Sequence, residues 1–316
     1  MLELDDVQLG AGGAEGFAHS FATGQTTVVL GANRSGKTDL CRLIAGLHTS
    51  ARGTVKLDGV DLAALSPRRR PVSLVYQAFI NYPNLTVRGN IASPMRAQRL
   101  PTAEREKRVH ELADMLQLPD LLDRLPHELS GGQQQRLAIA RALAKDARVL
   151  LLDEPLVNLD FKLREALEHE LRSLLRQMST VVIYTSSDPR DAFALGDEVL
   201  LLAAGRKLQA GSPTDVYRQP SSFAAMELLA EPSVNRFSVN DRNCALRPEH
   251  VAVEPPTDAA LEFEMVVSAY ETNGDESFIH GRVGGEDWVV RSPGMHDVVS
   301  GSRIVLHARE YDVVSF

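Results

Sequence analysis

The stretch Gly31-Ala32-Asn33-Arg34-Ser35-Gly36-Lys37-Thr38 constrains this chain more than any other. It follows the apolar run Thr26-Thr27-Val28-Val29-Leu30 and precedes Leu40, Leu43, Ile44 and Leu47 at helical spacing. Strand, glycine-rich turn and helix in that order build a loop whose backbone N–H groups converge on phosphate, aided by the positive end of the helix. In such a loop Lys37 reaches the β- and γ-phosphates of ATP, and Thr38 offers its hydroxyl to Mg²⁺. All eight positions, with Asp39 directly after them, are candidate nucleotide contacts.

Two later segments narrow the chemistry. Val149-Leu150-Leu151-Leu152-Asp153-Glu154-Pro155 is an apolar run ending in two carboxylates. A buried strand has no structural need for adjacent acids. Asp153 is therefore expected to hold Mg²⁺, and Glu154 to orient and deprotonate an attacking water. Between the loop and this strand lies Leu129-Ser130-Gly131-Gly132-Gln133. Ser130 and Gln133 fit a capping box for a helix running through Leu137, Ile139, Ala140 and Leu143. Read as structure alone, that is a well-capped helix. The paired glycines suggest more, because they permit close backbone approach to a ligand.

At 316 residues the chain is long enough for two domains. No apolar run approaches the roughly 18 residues of a membrane span. The acidic start (Glu3, Asp5, Asp6) does not read as a signal peptide, so a cytoplasmic protein is expected. A net charge of −8 argues against nucleic acid as the main ligand. Cys41 and Cys244 lie far apart and read as reduced packing residues. The runs at Val149 and Val181 look like strands of a parallel sheet buried on both faces. Between the loop and the acidic strand, residues 94–129 are charged and helical in pattern, broken by Pro101, Pro119 and Pro126. Near Glu231-Pro232-Ser233 lysine disappears, and short strand-like runs around Phe278, Trp288 and Arg303 alternate with turn residues. The expected division is 1–235 for an α/β ATP-binding domain, with a helical insert at about 88–145, and 236–316 for a small β domain.

With these motifs the chain resembles the ATPase subunits of ATP-binding-cassette (ABC) importers, specifically the sugar and polyol, maltose-type branch. The resemblance implies that Gln77 links Mg²⁺ and water to transmembrane subunits. It matches Asn158-Leu159-Asp160 to the D-loop. It matches Arg247-Pro248-Glu249-His250 to a C-terminal OB-type β barrel, here shorter than is usual. In this family the helix start at Ser130, Gly131, Gly132 and Gln133 faces the γ-phosphate bound by the opposite subunit. A head-to-tail dimer with ATP at each interface is therefore implied. The implied partners are a second ATPase chain, two transmembrane permease subunits and, indirectly, a solute-binding protein. The implied place is the cytoplasmic face of the cell membrane, as a peripheral subunit. The stretch Phe79-Ile80-Asn81-Tyr82-Pro83-Asn84-Leu85-Thr86-Val87 with Asn90-Ile91-Ala92-Ser93-Pro94 looks like one of the paired ATPases of bacterial glycerol importers. Glycerol is the substrate this implies, and a sugar or glycerol phosphate is the alternative.

Three departures from the family stand out. Ser187, in Thr185-Ser186-Ser187-Asp188, falls where a switch histidine is expected to contact the γ-phosphate; serine is shorter and carries no positive charge. Asp39 replaces a hydroxyl residue beside the phosphates and is expected to turn toward Arg34 or solvent. No aromatic residue stands near Leu9 or Gly10 to stack on adenine, and Phe17 and Phe21 read as core. A degenerate scaffold paired with an active ATPase is thus a competing function, as is a soluble ABC ATPase acting on DNA or ribosomes. The histidines show no metal-site pattern, and Arg68-Arg69-Arg70 reads as a solvated turn after Pro67.

Overall fold

The computed structural model describes residues 1–9, 15–50, 52–76, 80–145, 147–157, 161–239 and 241–316. Two compact units divide the chain between Arg218 and Gln219.

The first unit holds two sheets. Strands β1 (Leu2–Val7), β2 (Phe17–Phe21), β4 (Thr54–Leu57) and β5 (Val60–Asp61) form an antiparallel sheet in the order β2-β1-β4-β5. The other sheet contains β3 (Thr26–Leu30), β6 (Val72–Val75), β7 (Val149–Asp153), β8 (Val181–Ser186), β9 (Glu198–Ala203) and β10 (Arg206–Gly211). Its order is β10-β9-β3-β8-β7-β6, parallel except for β10. Strands β3, β7 and β8 are buried along their whole length, their polar end residues Thr26, Thr27, Asp153, Thr185 and Ser186 included.

Helix α1 (Lys37–Ala45) lies between the two sheets. Its Leu40, Cys41 and Ile44 share one core with Leu2, Leu4, Phe21 and Val55 and with Val29, Leu151 and Ile183. Phe17 and Phe21 belong to this core as expected, and both cysteines are free and buried. Side chains alternate along a strand, so Asp153 shares a face with Leu151 and points to the same side as α1. In the parallel register Asp153 pairs with Thr185, which puts Thr185 on that face too.

The inserted segment folds as α2 (Val87–Ala97), α3 (Thr102–Met115) and α4 (Gly131–Leu143). Thr86 caps α2, Pro101 opens α3, and Pro119 and Pro126 each start a short 3₁₀ turn. Proline fits these first-turn positions because the missing N–H would have no partner there. The rest of the unit adds α5 (Phe161–Arg176), α6 (Pro189–Leu195) and α7 (Pro213–Arg218).

One expectation fails here. Only Arg68 and Arg69 are exposed, and Arg70 is buried. It donates to the carbonyls of Leu43 (2.9 Å) and Ile44 (2.8 Å) at the end of α1. The last carbonyls of a helix lack intrahelical partners, and a buried cation satisfies them. Gly46 makes the room: a Cβ there would meet Arg70 at 2.6 Å.

The second unit begins with α8 (Phe223–Leu228) and continues as a small all-β domain. Strands β11 (Asn235–Val239), β12 (Arg242–Leu246) and β18 (Val314–Ser315) form one sheet. Strands β13 (Val251–Ala252), β14 (Leu261–Thr272), β15 (Glu276–Val283), β16 (Glu286–Pro293) and β17 (Arg303–Ala308) form another, in the order β13-β17-β14-β15-β16. Trp288 is 1 % exposed, packs with Phe237 and Phe263, and donates to the Arg236 carbonyl at 2.9 Å. It is a core residue and presents no stacking face to solvent. Arg247, the first residue of the Arg247-Pro248-Glu249-His250 match, is also buried.

Candidate functional site

The loop after β3 starts with Gly31, whose N–H donates to the Ser186 carbonyl at 3.2 Å. Arg34 and Gly36 adopt positive φ (66° and 106°), which turns the loop back on itself. No side chain caps α1: Gly36 is its N-cap and makes no capping bond. Glycine tolerates this left-handed geometry and keeps the helix entrance open to a ligand.

Lys37 is 4 % exposed and folds back over the loop. Its ammonium donates to the carbonyls of Gly31 (2.5 Å) and Ala32 (3.0 Å) and pairs with Glu154 Oε1 at 3.2 Å. Thr38 Oγ1 donates to Asp153 Oδ1 at 3.1 Å. The two carboxylates at the end of β7 thus meet the two polar residues that open α1. Burial pushes the Asp153 carboxyl above its ordinary range, hydrogen bonds from Thr185 and Thr38 oppose that, and the charge of Glu154 adds to it.

A cleft of about 370 Å³ opens here, lined by Asn33, Arg34, Ser35, Gly36, Lys37, Thr38, Asp39, Arg42 and Glu154. Arg34, Lys37 and Arg42 outnumber the acids Asp39 and Glu154 on its wall. Ser35 Oγ is buried without a partner among the described residues. A cationic wall, an orphaned hydroxyl and an open helix entrance fit a phosphate chain, and Thr38 with Asp153 fits an accompanying Mg²⁺. Asp39 leans toward His48 Nδ1, at 3.9 Å, rather than pairing with Arg34.

The remaining expected residues fall in three places. Ser130 caps α4 as the sequence predicts: its Oγ accepts from Gln133 N (3.3 Å) and its N–H donates to Gln133 Oε1 (2.9 Å). Gly131 is exposed, and a Cβ added to it would meet nothing within 4 Å, whereas Gly132 is buried. Ser187 is exposed just beyond β8, one residue past the Leu30–Ser186 pair and so level with Gly31. Gln77, Asn158, Leu159, Asp160 and Gly10 lie outside the described residues.

Two features were not legible as site residues. Thr185 reaches both acids: its Oγ1 donates to Asp153 Oδ1 (2.9 Å) and accepts from Glu154 N (3.0 Å). Three hydroxyl residues, Thr185 to Ser187, follow the apolar run 181–184, and nothing in their order marks Thr185 as the one in step with Asp153. Beneath the Ser187 turn, Arg164 on α5 bridges Asp188 Oδ2 and Asp191 Oδ1, each at 2.8 Å. Asp191 Oδ2 accepts from Ser186 Oγ at 2.5 Å. This lattice joins α5 to the turn after β8 across the intervening strand, and only folding reveals it.

Comparison with known proteins finds relatives along both units of the chain. Residues 15–157 match the model of the ABC transporter family, and 244–316 match that of the TOBE domain. Among similar proteins is sn-glycerol-3-phosphate import ATP-binding protein UgpC 3 of Rhizobium johnstonii, 34 % identical over 93 % of this chain and 90 % of its own length. UgpC of Cereibacter sphaeroides is 34 % identical over 96 % and 93 %. UgpC of Paracoccus denitrificans is 33 % identical over 95 % and 92 %. A solved dimeric structure of MJ0796, a bacterial ABC transporter cassette, aligns with a TM-score of 0.59 at 26 % identity, covering 67 % of this chain and 99 % of that one.

Proposed function

The chain belongs to the ABC transporter ATP-binding proteins, and from that premise we propose that it powers import of a phosphorylated polyol, with glycerol 3-phosphate the first candidate. The cleft lined by Lys37, Thr38 and Glu154, with Asp153 bonded to Thr38, carries the ATPase reading. The phosphorylated substrate is favoured over glycerol itself by the relatives, which are named for glycerol-3-phosphate import.

In this reading Lys37 exchanges its loop carbonyls for the β- and γ-phosphates of ATP. The N–H groups at the open end of α1 take the phosphate oxygens. A bound Mg²⁺ would neutralise charge across the terminal phosphates, held by Thr38 and Asp153, with Gln77 as a further ligand. Glu154 accepts a proton from the attacking water, and its 14 % exposure leaves it a path to that water. Gly131 supports pairing with a second ATPase chain. A Cβ added there would meet no described residue within 4 Å, so a glycine there suits a ligand or surface brought from outside. Ser187 supplies at most a hydroxyl at the switch position, which favours a partner chain of different sequence.

No helix among the described residues is long and apolar enough to cross a membrane. The proposed setting is accordingly peripheral, on the cytoplasmic face, beneath two permease subunits fed by a solute-binding protein. The test is to delete the gene in its source organism and follow uptake of radiolabelled glycerol 3-phosphate and of glycerol. Glycerol 3-phosphate uptake should fall, and should return with the wild-type chain but not with Lys37→Ala. Loss of glycerol uptake alone would restore the unphosphorylated substrate, and no change in either would overturn the proposal.

A further inference from the structure

Glu154 stands in a backbone conformation that a non-glycine residue keeps only when held. Its φ is +47°, directly after the last residue of β7. The holding bond comes from Thr185, fully buried on the neighbouring strand, whose Oγ1 accepts the Glu154 N–H at 3.0 Å. A hydroxyl has one proton to give. Thr185 gives it to Asp153 Oδ1 at 2.9 Å, the same oxygen that takes the Thr38 hydroxyl at 3.1 Å. Two hydroxyls are thereby committed to Oδ1, and Asp153 Oδ2 takes neither.

We propose that Thr185 is a positioning residue for ATP hydrolysis, its single hydroxyl setting the directions of the Asp153 and Glu154 carboxylates together. This rests on the reading of Glu154 as base and Asp153 as metal carboxylate. Valine has nearly the shape of threonine and suits a buried strand. It would leave the Glu154 N–H without this partner and remove one of the two donors that fix Asp153. Glu154 would then relax toward an ordinary φ, carrying its carboxylate away from Lys37.

The experiment uses the full-length chain in single-turnover hydrolysis, with protein in excess over MgATP. Thr185→Val should slow the chemical step about 10-fold or more, the effect of losing a hydrogen bond to a charged group. The half-saturating concentration should stay within about two-fold, and Thr185→Ser should recover most of the rate. A second measurement follows binding of a fluorescent ATP analogue with and without Mg²⁺. The gain in affinity on adding Mg²⁺ should shrink in Thr185→Val and persist in Thr185→Ser, while affinity in EDTA is the same for all. Thr185→Ala serves if the valine chain does not fold. Wild-type rate and Mg²⁺ dependence in Thr185→Val would overturn the proposal, as would a serine variant as slow as the valine one, since packing would then be the cause. Glu154→Gln separates the two levels. If it still hydrolyses ATP, the underlying reading of Glu154 fails; if it is inactive while Thr185→Val is normal, only the role of Thr185 fails.

Discussion

The entrances of α1 and α4 both carry glycine, and they are built in opposite ways. Helix α1 begins at Gly36 with no side-chain cap, inside a cleft walled by Arg34, Lys37 and Arg42. Helix α4 begins at Ser130 with a complete capping box and an exposed Gly131, whose added Cβ would meet no described residue within 4 Å. The first leaves its N–H groups to a ligand and surrounds them with charge. The second bonds two N–H groups, those of Ser130 and Gln133, within its own capping box. An uncapped entrance leaves more of its N–H groups to an anion than a capped one does. On the proposed reading, one chain carries its own phosphate site at α1 and contributes α4 to that of a second ATPase chain.

The sharpest attack on this contrast is Lys37→Ala. Removing one member of a desolvated charge contact costs on the order of 10³-fold in affinity, so equilibrium titration with a labelled ATP analogue should show binding nearly abolished. Unchanged affinity would mean that α1 does not hold the phosphates.

Gly131→Asp probes the other entrance. An acid in the first turn of α4 favours the helix, and its Cβ meets no neighbour, so thermal stability should hold or rise slightly. Binding at the protomer's own loop should be unaffected. Steady-state hydrolysis by the assembled ATPase should nevertheless fall about 10²-fold, the scale of losing one preorganised contact to a reacting phosphate. Equal losses of binding and turnover would erase the distinction between the two helices.

Ser187→His refines the account of the first site. Ser187 is exposed and level with Gly31, so a longer, protonatable ring could reach the cleft. Turnover at this chain's own site should rise about 10-fold or more, read as the difference between pairs carrying the substituted and the wild-type chain. Brisk hydrolysis by the wild-type chain alone, unchanged in the variant, would show that another group does the work.

The smallest effect is expected at the far end of α1. Arg70→Met strips a cation from the carbonyls of Leu43 and Ile44. Stability should drop by about 1–3 kcal/mol in urea unfolding, with MgATP affinity nearly intact, because the phosphate contacts lie at the opposite end of the helix.

Much of this is written plainly in the chain. The loop 31–38, the capping box at Ser130 and the apolar runs of β7 and β8 are local patterns. Each depends on bonds between residues a few positions apart, or on burial that composition records directly. The free cysteines and the core placement of Phe17 and Phe21 follow from the same kind of reasoning. Adjacent acids closing an apolar run are a chemical anomaly in their own right, visible in the order of residues alone.

The tertiary structure decided which groups meet. The register of β7 against β8 places Thr185 beside Asp153, and alternation turns both toward α1. Arg70 reads as one charge in a solvated run until folding places it under the end of α1, in the space that Gly46 leaves. Arg164 gains its role only because α5 and α6 pack so that it reaches Asp188 and Asp191. Local pattern fixes which backbone a segment adopts, because hydrogen bonding and burial act over neighbouring residues. A side chain's partners across strands and helices depend on register and packing, which no single segment encodes.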